Sequence, residues 1–373
     1  MRNPLHHILF IATEYAAGMR PYASTIIHSL WQQGDHVLIV AKEDSVKHDL
    51  DDLPGDSVTW VDYPTAKWQK LAFRLRPSRL INRIDQLIAE QSIRLIYCLT
   101  GELILVNHIK HLQRMVPVLY TIHDAMSHDS KFEGLVTWLK HKLLIAGPQR
   151  RLIKSTTFQV TNSKSQQQLV KERYPYHKVF YAPFPSLVTQ EIARGNATVP
   201  ELDNLGEGYI LFFGNIQLYK GVHLLYDAYL SHPELQKRPL VIAGSGYIYF
   251  ERRSDESRIV FINRYVEDVE VKDLITRAAV VVYPYISATQ SGVVSIASYF
   301  GKPMVLSDVP YFIQTCSGYE GVEFFTSGDS NALAAAVNRS LHSTASTTHL
   351  YCQEYAPEAM QEALEGIFVK ILG

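Results

Sequence analysis

The sequence predicts an α/β protein of two successive domains, each built around a parallel sheet. Three observations lead to this expectation. Short apolar segments alternate with segments of helical periodicity, the alternation stops once near the middle of the chain, and it then restarts. The length of 373 residues is sufficient for two domains of ordinary size. We expect a domain over residues 1–185, a linker over 186–207, a domain over 208–350 and a final helical segment over 351–373.

The first domain opens with a βαβ unit. Residues 7–12 form an apolar run, residues 21–33 carry apolar side chains at helical spacing, and residues 37–40 are apolar again. The other strands predicted in this domain, all rich in β-branched or aromatic residues, span 93–99, 116–122 and 158–161. Residues 186–207 mix proline, glycine and polar residues, which is typical of a linker.

The same alternation resumes after the linker. Strands are predicted over 209–213, 240–243, 259–262, 280–284, 304–307 and 322–325. Helices are predicted over 221–230, 269–279, 330–341 and 356–372. Ligands of open parallel sheets lie at the carboxyl ends of the strands, so the site should lie there.

Composition excludes several classes of protein. Hydrophobic residues make up 47% and charged residues 20%, which excludes a disordered chain. The three cysteines lie too far apart for a disulfide framework or a zinc cluster. No apolar run reaches the roughly 20 residues of a membrane span, and the short N-terminal run does not resemble a signal peptide, so we expect a cytoplasmic protein.

Charge is distributed unevenly between the two halves. Residues 1–185 carry 23 basic and 16 acidic side chains, whereas the remainder carries 13 and 21. This asymmetry favours two domains with different partners, with chance variation as the alternative. Nothing resembles a nucleic-acid reader motif, and nucleic acid is not an expected partner.

The most informative motif runs from Phe212 to Val222. A buried strand ends in Gly214 and Asn215, and Lys220 precedes a glycine at a helix start. A lysine beside a helix N-terminus combines two positive potentials, which suits a phosphate or pyrophosphate. The alternative is a surface lysine in an ordinary strand-to-helix turn.

Two further turns have the same character. Residues 283–303 contain a strand end, the polar segment through Gln290 and Ser291, and then Gly292 and Val293 at a helix start, where backbone N–H groups could bind an anion. The alternative is a serine-capped helix with nothing bound. Residues 240–246 form a strand that runs into a turn with Gly244 and Gly246, a weak signal by itself.

Together and in this order, these turns resemble the nucleotide-donor domain of the GT-B glycosyltransferases, most closely the retaining family 4. The family's Phe-Gly and Lys-Gly pairs match Phe213-Gly214 and Lys220-Gly221, and its glycine-rich first loop resembles Ala17-Gly18. Its acceptor-side His-Asp pair resembles His123-Asp124. The resemblance implies two Rossmann-like domains that face a central cleft, an N-terminal acceptor domain, a C-terminal donor domain and a final helix that crosses back to the first domain.

The chain also departs from the family pattern. Asn215 stands where the family usually has an arginine on the donor pyrophosphate, and the two paired glutamates fall at Ala288 and Ile296. The chain therefore resembles a subset that lacks these glutamates. Gln290 or Ser291 is expected to contact the sugar instead, and Arg264 or Arg20 to replace the missing cation.

The resemblance implies the chemistry. A sugar would pass from a nucleotide diphosphate to a polysaccharide or lipid-linked glycan with retention of configuration, without a metal or a cofactor. Lys220 and His123 would be the catalytic residues. The donor would bind at the positions of the glycine turns and the phosphate-binding helix: Gly18, Gly214, Asn215, Gly244, Gly246, Arg264, Gln290, Ser291, Gly292 and Val293.

A basic segment of the first domain suggests an acceptor at a membrane. Six basic and no acidic residues fall within 67–83, among them Lys67, Lys70 and Arg74, with Trp68 and other apolar residues interleaved. A second stretch without acids covers 134–171. Such a pattern suits an anionic membrane surface at the inner face of the cell membrane, with Arg20 on the same acceptor side. The alternative is two solvated helices.

Two other functions are compatible with the sequence. One is a nucleotide-sugar epimerase of the same fold, since a fold does not determine a function. The other is a non-catalytic partner protein, which the missing arginine and glutamates would favour.

Overall fold

The computed structural model of the protein describes residues 7–16, 19–124, 145–254 and 256–373. The chain forms two compact units. The first unit runs to Pro185 and also contains Pro357–Gly373, whereas the second spans Ser186–Ala356.

The first unit contains a seven-stranded sheet in which all neighbouring strands are parallel. Its strands are β1 (Ile8–Tyr15), β2 (His36–Ala41), β3 (Val58–Asp62), β4 (Leu95–Cys98), β5 (Val118–Ile122), β6 (Phe158–Thr161) and β7 (Lys178–Tyr181). Central strands β2, β4 and β5 are buried along their whole length, as expected for a parallel sheet covered on both faces.

Helices connect these strands. They are α1 (Met19–Leu30), α2 (Lys67–Leu75), α3 (Ser78–Glu90), α4 (Ile109–Met115), α5 (Gly147–Ser155) and α6 (Lys164–Arg173). Helix α3 shows why they form: its buried side chains recur at helical spacing and join the core beneath the sheet. Those side chains are Leu80, Ile81, Ile84, Leu87 and Ile88.

The second unit contains a six-stranded sheet, again with parallel neighbours. Its strands are β8 (Tyr209–Phe213), β9 (Leu240–Ala243), β10 (Ile259–Ile262), β11 (Ala278–Tyr283), β12 (Met304–Ser307) and β13 (Val322–Phe325). Its helices are α7 (Gln190–Arg194), α8 (Val222–Ser231), α9 (Asp268–Thr276), α10 (Val293–Tyr299), α11 (Pro310–Cys316), α12 (Ser330–Leu341) and α13 (Thr348–Glu354).

The last helix, α14 (Pro357–Leu372), packs in the first unit. It contacts α1, and the ring of Phe368 lies 5.7 Å from that of Tyr97. Its apolar stripe, which includes Met360 and Leu364, is buried.

Each sheet has one point at which the strand order reverses. In the first unit β1 lies between β2 and β4, and in the second β8 lies between β9 and β11. The helices that follow on either side of such a point leave in opposite directions, which opens a crevice at the carboxyl ends of the strands. The ends of β1 and β4 and the ends of β8 and β11 are therefore the places to look for ligands.

The predicted linker differs from what the structure shows. Residues 186–207 lie within the second unit and include α7 and a 3-10 turn, Pro200–Leu202. Val199 and Leu202 are fully buried there, and Val199 N donates to a carboxylate oxygen of Asp273. The apolar residues between the polar ones anchor this segment.

Candidate functional site

Lys220 lies at the strand-order reversal of the second unit. It follows β8 in a 3-10 turn, Leu218–Lys220, and is only 9% exposed. Its Nζ is 5.3 Å from the ring centre of Tyr285, which follows β11. No carboxylate of the described residues pairs with this ammonium group, and burial lowers the pKa of Lys220. A buried cation without a counter-ion provides a place for an anion.

Two glycines bring the backbone close around this lysine. A side-chain carbon at Gly214, which has a φ of 139°, would lie 3.1 Å from Lys220 Nζ. Gly221, with a φ of 65°, precedes α8, and a side-chain carbon there would lie 1.9 Å from the carbonyl oxygen of Pro284. Only glycine fits the second position, because both the backbone conformation and the space exclude a side chain.

The predicted turns after β8 and β9 lie side by side. Gly214 N donates to the oxygen of Ala243, and Ile216 forms a bridge with Gly246. Added carbons at Gly244 and Gly246 would collide with the oxygens of Gly214 and Ile216 at 2.2 and 2.3 Å. These glycines therefore allow two strand ends to approach each other. Asn215 is exposed, and its Oδ1 accepts a hydrogen bond of 3.4 Å from Ser245.

The segment before α10 packs against Tyr285 and the end of β11. Ser291 is 6% exposed, and its Oγ lies 3.4 Å from the hydroxyl of Tyr285. The hydroxyl of Tyr283 donates to the oxygen of Val293 and thereby holds the start of α10 against the strand. Gly292 and Gln290 are partly exposed beside them. A side-chain carbon added at Gly214 would lie 3.6 Å from Cγ1 of Val293. The turn before α10 and the turn that contains Lys220 therefore lie next to each other.

Arg264, a predicted cation for the donor, forms local ion pairs within the second unit. Its guanidinium group forms ion pairs with Glu201 at 2.8 Å and with Glu270 at 2.7 Å, and it also donates to the oxygen of Tyr265. All five N–H groups of Arg264 have partners. Glu270 in turn completes the capping box of α9 with Glu267. This arginine serves the local structure.

His123 lies at the carboxyl end of β5 in the first unit. It is 9% exposed, its Nε2 donates to the oxygen of Leu99 at the end of β4, and the edge of its ring faces Tyr22. Burial lowers the pKa of His123, so the neutral ring is favoured. The hydrogen bond to a carbonyl assigns the proton to Nε2 and makes Nδ1 the acceptor nitrogen.

The structure adds two acids that the sequence analysis missed. Glu102 is fully buried, and its carboxylate accepts hydrogen bonds from the backbone N–H groups of Thr13 and Thr100 and from the Thr100 hydroxyl. It joins the ends of β1 and β4, where the strand order reverses. Glu14 lies next to it, and burial raises the pKa of both carboxyl groups, that of Glu102 to about 7. A glutamate four residues after the end of β4 and directly before the apolar run 103–106 was the available signal.

The basic residues of the predicted acceptor side occupy different environments. Arg20 pairs with Asp49 at 2.5 Å, and the hydroxyl of Tyr15 also donates to that carboxylate, so Arg20 has a role within the first unit. Lys70 and Trp68 are exposed on α2, whereas Arg74 is partly buried. Lys67 begins that helix. The predicted donor residue Gly18 and the predicted basic positions within 134–144 lie outside the described residues.

The second unit matches a known family of enzymes. Residues 207–343 match the family model described as Glycosyl transferases group 1. The matched range includes the lysine turn and every glycine turn described above. No curated protein sequence matches the chain.

Solved structures resemble the chain over nearly its whole length. HepE from Anabaena, in complex with UDP-glucose, is 17% identical, with 97% of this chain and 99% of that chain covered and a TM-score of 0.69. The chain has the GT-B fold. A sucrose-phosphate synthase from Thermosynechococcus elongatus is 14% identical over 97% and 98% of the two chains, with a TM-score of 0.68. A UDP-forming α,α-trehalose-phosphate synthase from Burkholderia vietnamiensis is 12% identical over 98% and 100%, with a TM-score of 0.67.

The similarity confirms the predicted fold class, two Rossmann-like parallel-sheet domains of GT-B architecture. Within the described ranges, no helix has the length and apolar character needed to cross a membrane. The same ranges contain no group of three or more histidine, cysteine or acidic side chains placed to hold a metal ion.

Proposed function

We propose that this protein is a retaining hexosyltransferase of glycosyltransferase family 4, in the subset without paired glutamates. It would transfer a sugar from a nucleotide diphosphate to a polysaccharide or lipid-linked glycan of the cell envelope. Lys220 is the main support for the proposal. Its ammonium group is buried and has no carboxylate partner among the described residues. It lies at the strand-order reversal of the segment that matches the glycosyltransferase family model.

The proposed role of Lys220 follows from the charge of the leaving group. When the bond between sugar and phosphate breaks, negative charge grows on the nucleotide diphosphate. A desolvated ammonium group already in place stabilises that charge more strongly than water does, because its environment has a low dielectric constant. Lys220 would thus act without a metal. The backbone N–H groups around Ser291–Val293 would contact the same diphosphate.

We propose UDP as the nucleotide of the donor. Three lines of support come from relatives of the same fold: HepE is solved with UDP-glucose, it is also solved with UDP, and the trehalose-phosphate synthase is described as UDP-forming. His123, neutral and fixed by its hydrogen bond to Leu99, would contact the donor sugar through a hydrogen bond. Gln290 and Ser291 would supply the sugar contacts that the family's glutamates make elsewhere.

The acceptor side of the proposal rests on α2. This helix exposes Trp68 (71%), Leu71 (58%) and Leu75 (62%) beside Lys70 and the partly buried Arg74. Apolar side chains beside cations suit the interface of an anionic membrane. We therefore propose a cytoplasmic protein that associates with the inner face of the membrane, where a lipid-linked glycan would be accessible.

The function can be tested with UDP-glucose alone, because many glycosyltransferases hydrolyse their donor slowly. Purified protein is incubated with UDP-glucose, and proton NMR follows the release of UDP and the anomer of the released sugar. A retaining enzyme first releases the α anomer, before mutarotation. The β anomer as first product would contradict the retaining mechanism.

The rival functions give different results in the same tube. An epimerase would convert the nucleotide sugar to its epimer, with the sugar still linked to the nucleotide, and would form no glycan product when an acceptor is added. A non-catalytic partner protein would leave UDP-glucose, UDP-galactose and the GDP- and ADP-sugars intact. Either result would overturn the transferase proposal.

A further inference from the structure

A small basic pocket lies in the first unit at the carboxyl ends of β2 and β3. Lys42 directly follows β2, Tyr63 directly follows β3, and Lys70 lies in the first turns of α2. Together with Pro64 and Thr65 they line a cavity of about 320 Å³. We call it the Lys42 pocket. Its position at the carboxyl edge of a parallel sheet is where ligands of such sheets bind.

Backbone and ring contacts hold this pocket in shape. Tyr63 N donates to the oxygen of Ala41, which fixes the end of β3 beside the end of β2. Phe73 of α2 packs edge-on against the Tyr63 ring at 5.8 Å, and Lys42 Nζ lies 5.6 Å from the centre of the same ring. One aromatic ring thus positions both the helix that carries Lys70 and the ammonium group of Lys42.

Two acids near the pocket are already paired with another lysine. Asp44 and Asp62 both pair with Lys47, at 2.6 and 3.1 Å. Neither Lys42 nor Lys70 forms an ion pair with an acidic side chain of the described residues. Two exposed cations at one concave place, beside carboxylates that are already paired, create a local positive potential.

The charge of Lys42 also acts on Glu14, a partly buried acid at the end of β1. Burial raises the pKa of Glu14, while the charges of Arg74 and Lys42 oppose this shift. Glu14 therefore lies in the field of Lys42.

We propose that the Lys42 pocket binds a phosphoryl group carried by the acceptor. A phosphoryl group offers three oxygens and up to two charges, so it can contact two ammonium groups and the Thr65 hydroxyl at once, whereas a carboxylate has only two oxygens. The proposed function enters this inference at one point, where the phosphoryl group is assigned to the acceptor of the transfer reaction. The group could belong to a soluble phosphorylated glycan or to a lipid headgroup, and the experiment separates these sources.

The test uses the full-length protein labelled with ¹⁵N, with UDP present at saturation so that the donor site is filled. Inorganic phosphate is titrated at constant ionic strength, and the amide signals of Lys42 and Thr65 are followed. We expect saturable shifts, an affinity about tenfold lower in Lys42→Gln, and no change in Lys110→Gln, an exposed lysine on α4. Sodium acetate should bind more weakly than phosphate.

Several results would overturn the proposal: shifts that do not saturate, equal shifts in Lys42→Gln, or equal binding of acetate and phosphate. Vesicles that contain phosphatidic acid, a phosphomonoester, and vesicles of phosphatidylcholine form the second arm. Phosphate binding together with Lys42-dependent binding to the anionic vesicles assigns the pocket to a lipid headgroup, and phosphate binding without such dependence assigns it to a soluble phosphorylated acceptor. UDP binding in the same samples reports separately on the donor site, so failure of either proposal is recognised independently.

Discussion

The buried carboxyl group of Glu102 should make the stability of the first unit depend on pH. Its pKa is raised from about 4.5 to about 7, chiefly because burial disfavours the charged form, while the hydrogen bonds from Thr13 and Thr100 act in the opposite direction. The folded state therefore holds the proton more tightly than the unfolded chain does. Stability from this group is fully present below pH 4.5 and is lost as the pH rises through 7.

The magnitude follows from the difference between the two pKa values. About 2.5 units at 1.36 kcal/mol per unit give a limit of about 3 kcal/mol, of which about 2 to 3 kcal/mol is lost between pH 5 and pH 8. A glutamine does not titrate. Between pH 5 and pH 8, the unfolding free energy of Glu102→Gln should therefore fall by about 2 to 3 kcal/mol less than that of the wild type. Glu43→Gln, an exposed acid of the same unit, should follow the wild type.

Two measurements check this prediction. Urea unfolding at pH 5 and pH 8, followed by circular dichroism, gives the stability difference for the wild type and both variants. A ¹³C NMR titration of protein labelled at the glutamate carboxyl carbons gives the pKa itself, with the Glu102 signal assigned from its loss in Glu102→Gln. A midpoint near 4.5 for that signal, or equal pH dependence in all three proteins, would refute the reasoning.

Two predictions concern packing. Gly221→Ala should destabilise the second unit by more than about 2 kcal/mol, because a left-handed φ costs about 1–2 kcal/mol and the new carbon collides with the oxygen of Pro284. Its control is Gly366→Ala, at an exposed position of α14 with open space around it. In urea unfolding, Gly366→Ala should stabilise the first unit by about 0.5–1 kcal/mol. Phe368→Ala should destabilise the first unit by about 3 kcal/mol, because it removes the ring contact between α14 and the sheet. Val369→Ala, at the exposed neighbouring position, should change stability by at most about 0.5 kcal/mol. Equal melting temperatures of the two variants would contradict this packing.

The sequence predicts the strands of the second sheet better than the two edge strands of the first. The bounds predicted for 209–213, 240–243 and 259–262 coincide with β8, β9 and β10, because each strand is a short apolar run between polar segments. β3 and β7 were missed. Both lie at the edges of the first sheet and are only partly buried, and within these strands no apolar run is longer than three residues.

The site could be predicted where local sequence determines geometry. The glycines at 214, 221, 244 and 246 adopt positive φ at strand ends, as their turns suggested. The ion pair of Arg264 with Glu201 could not be foreseen, because Glu201 lies 63 residues away in the chain. Glu102 was missed for a similar reason, since only the assembled sheet shows that its carboxylate joins β1 to β4.

The proposed role of Lys220 is to provide the positive charge for the diphosphate of the donor. It is tested most directly by calorimetry of UDP and of uridine with the wild type, Lys220→Met and Lys237→Met, in which an exposed lysine of the same unit is the control. A charge-assisted contact is worth about 1.5–3 kcal/mol, so Lys220→Met should bind UDP roughly 10- to 100-fold more weakly than the wild type. Its affinity for uridine, which has no phosphate, should be unchanged. Lys237→Met should match the wild type for both ligands. Equal affinity of the wild type and Lys220→Met for UDP, or no binding of UDP by either, would contradict the account.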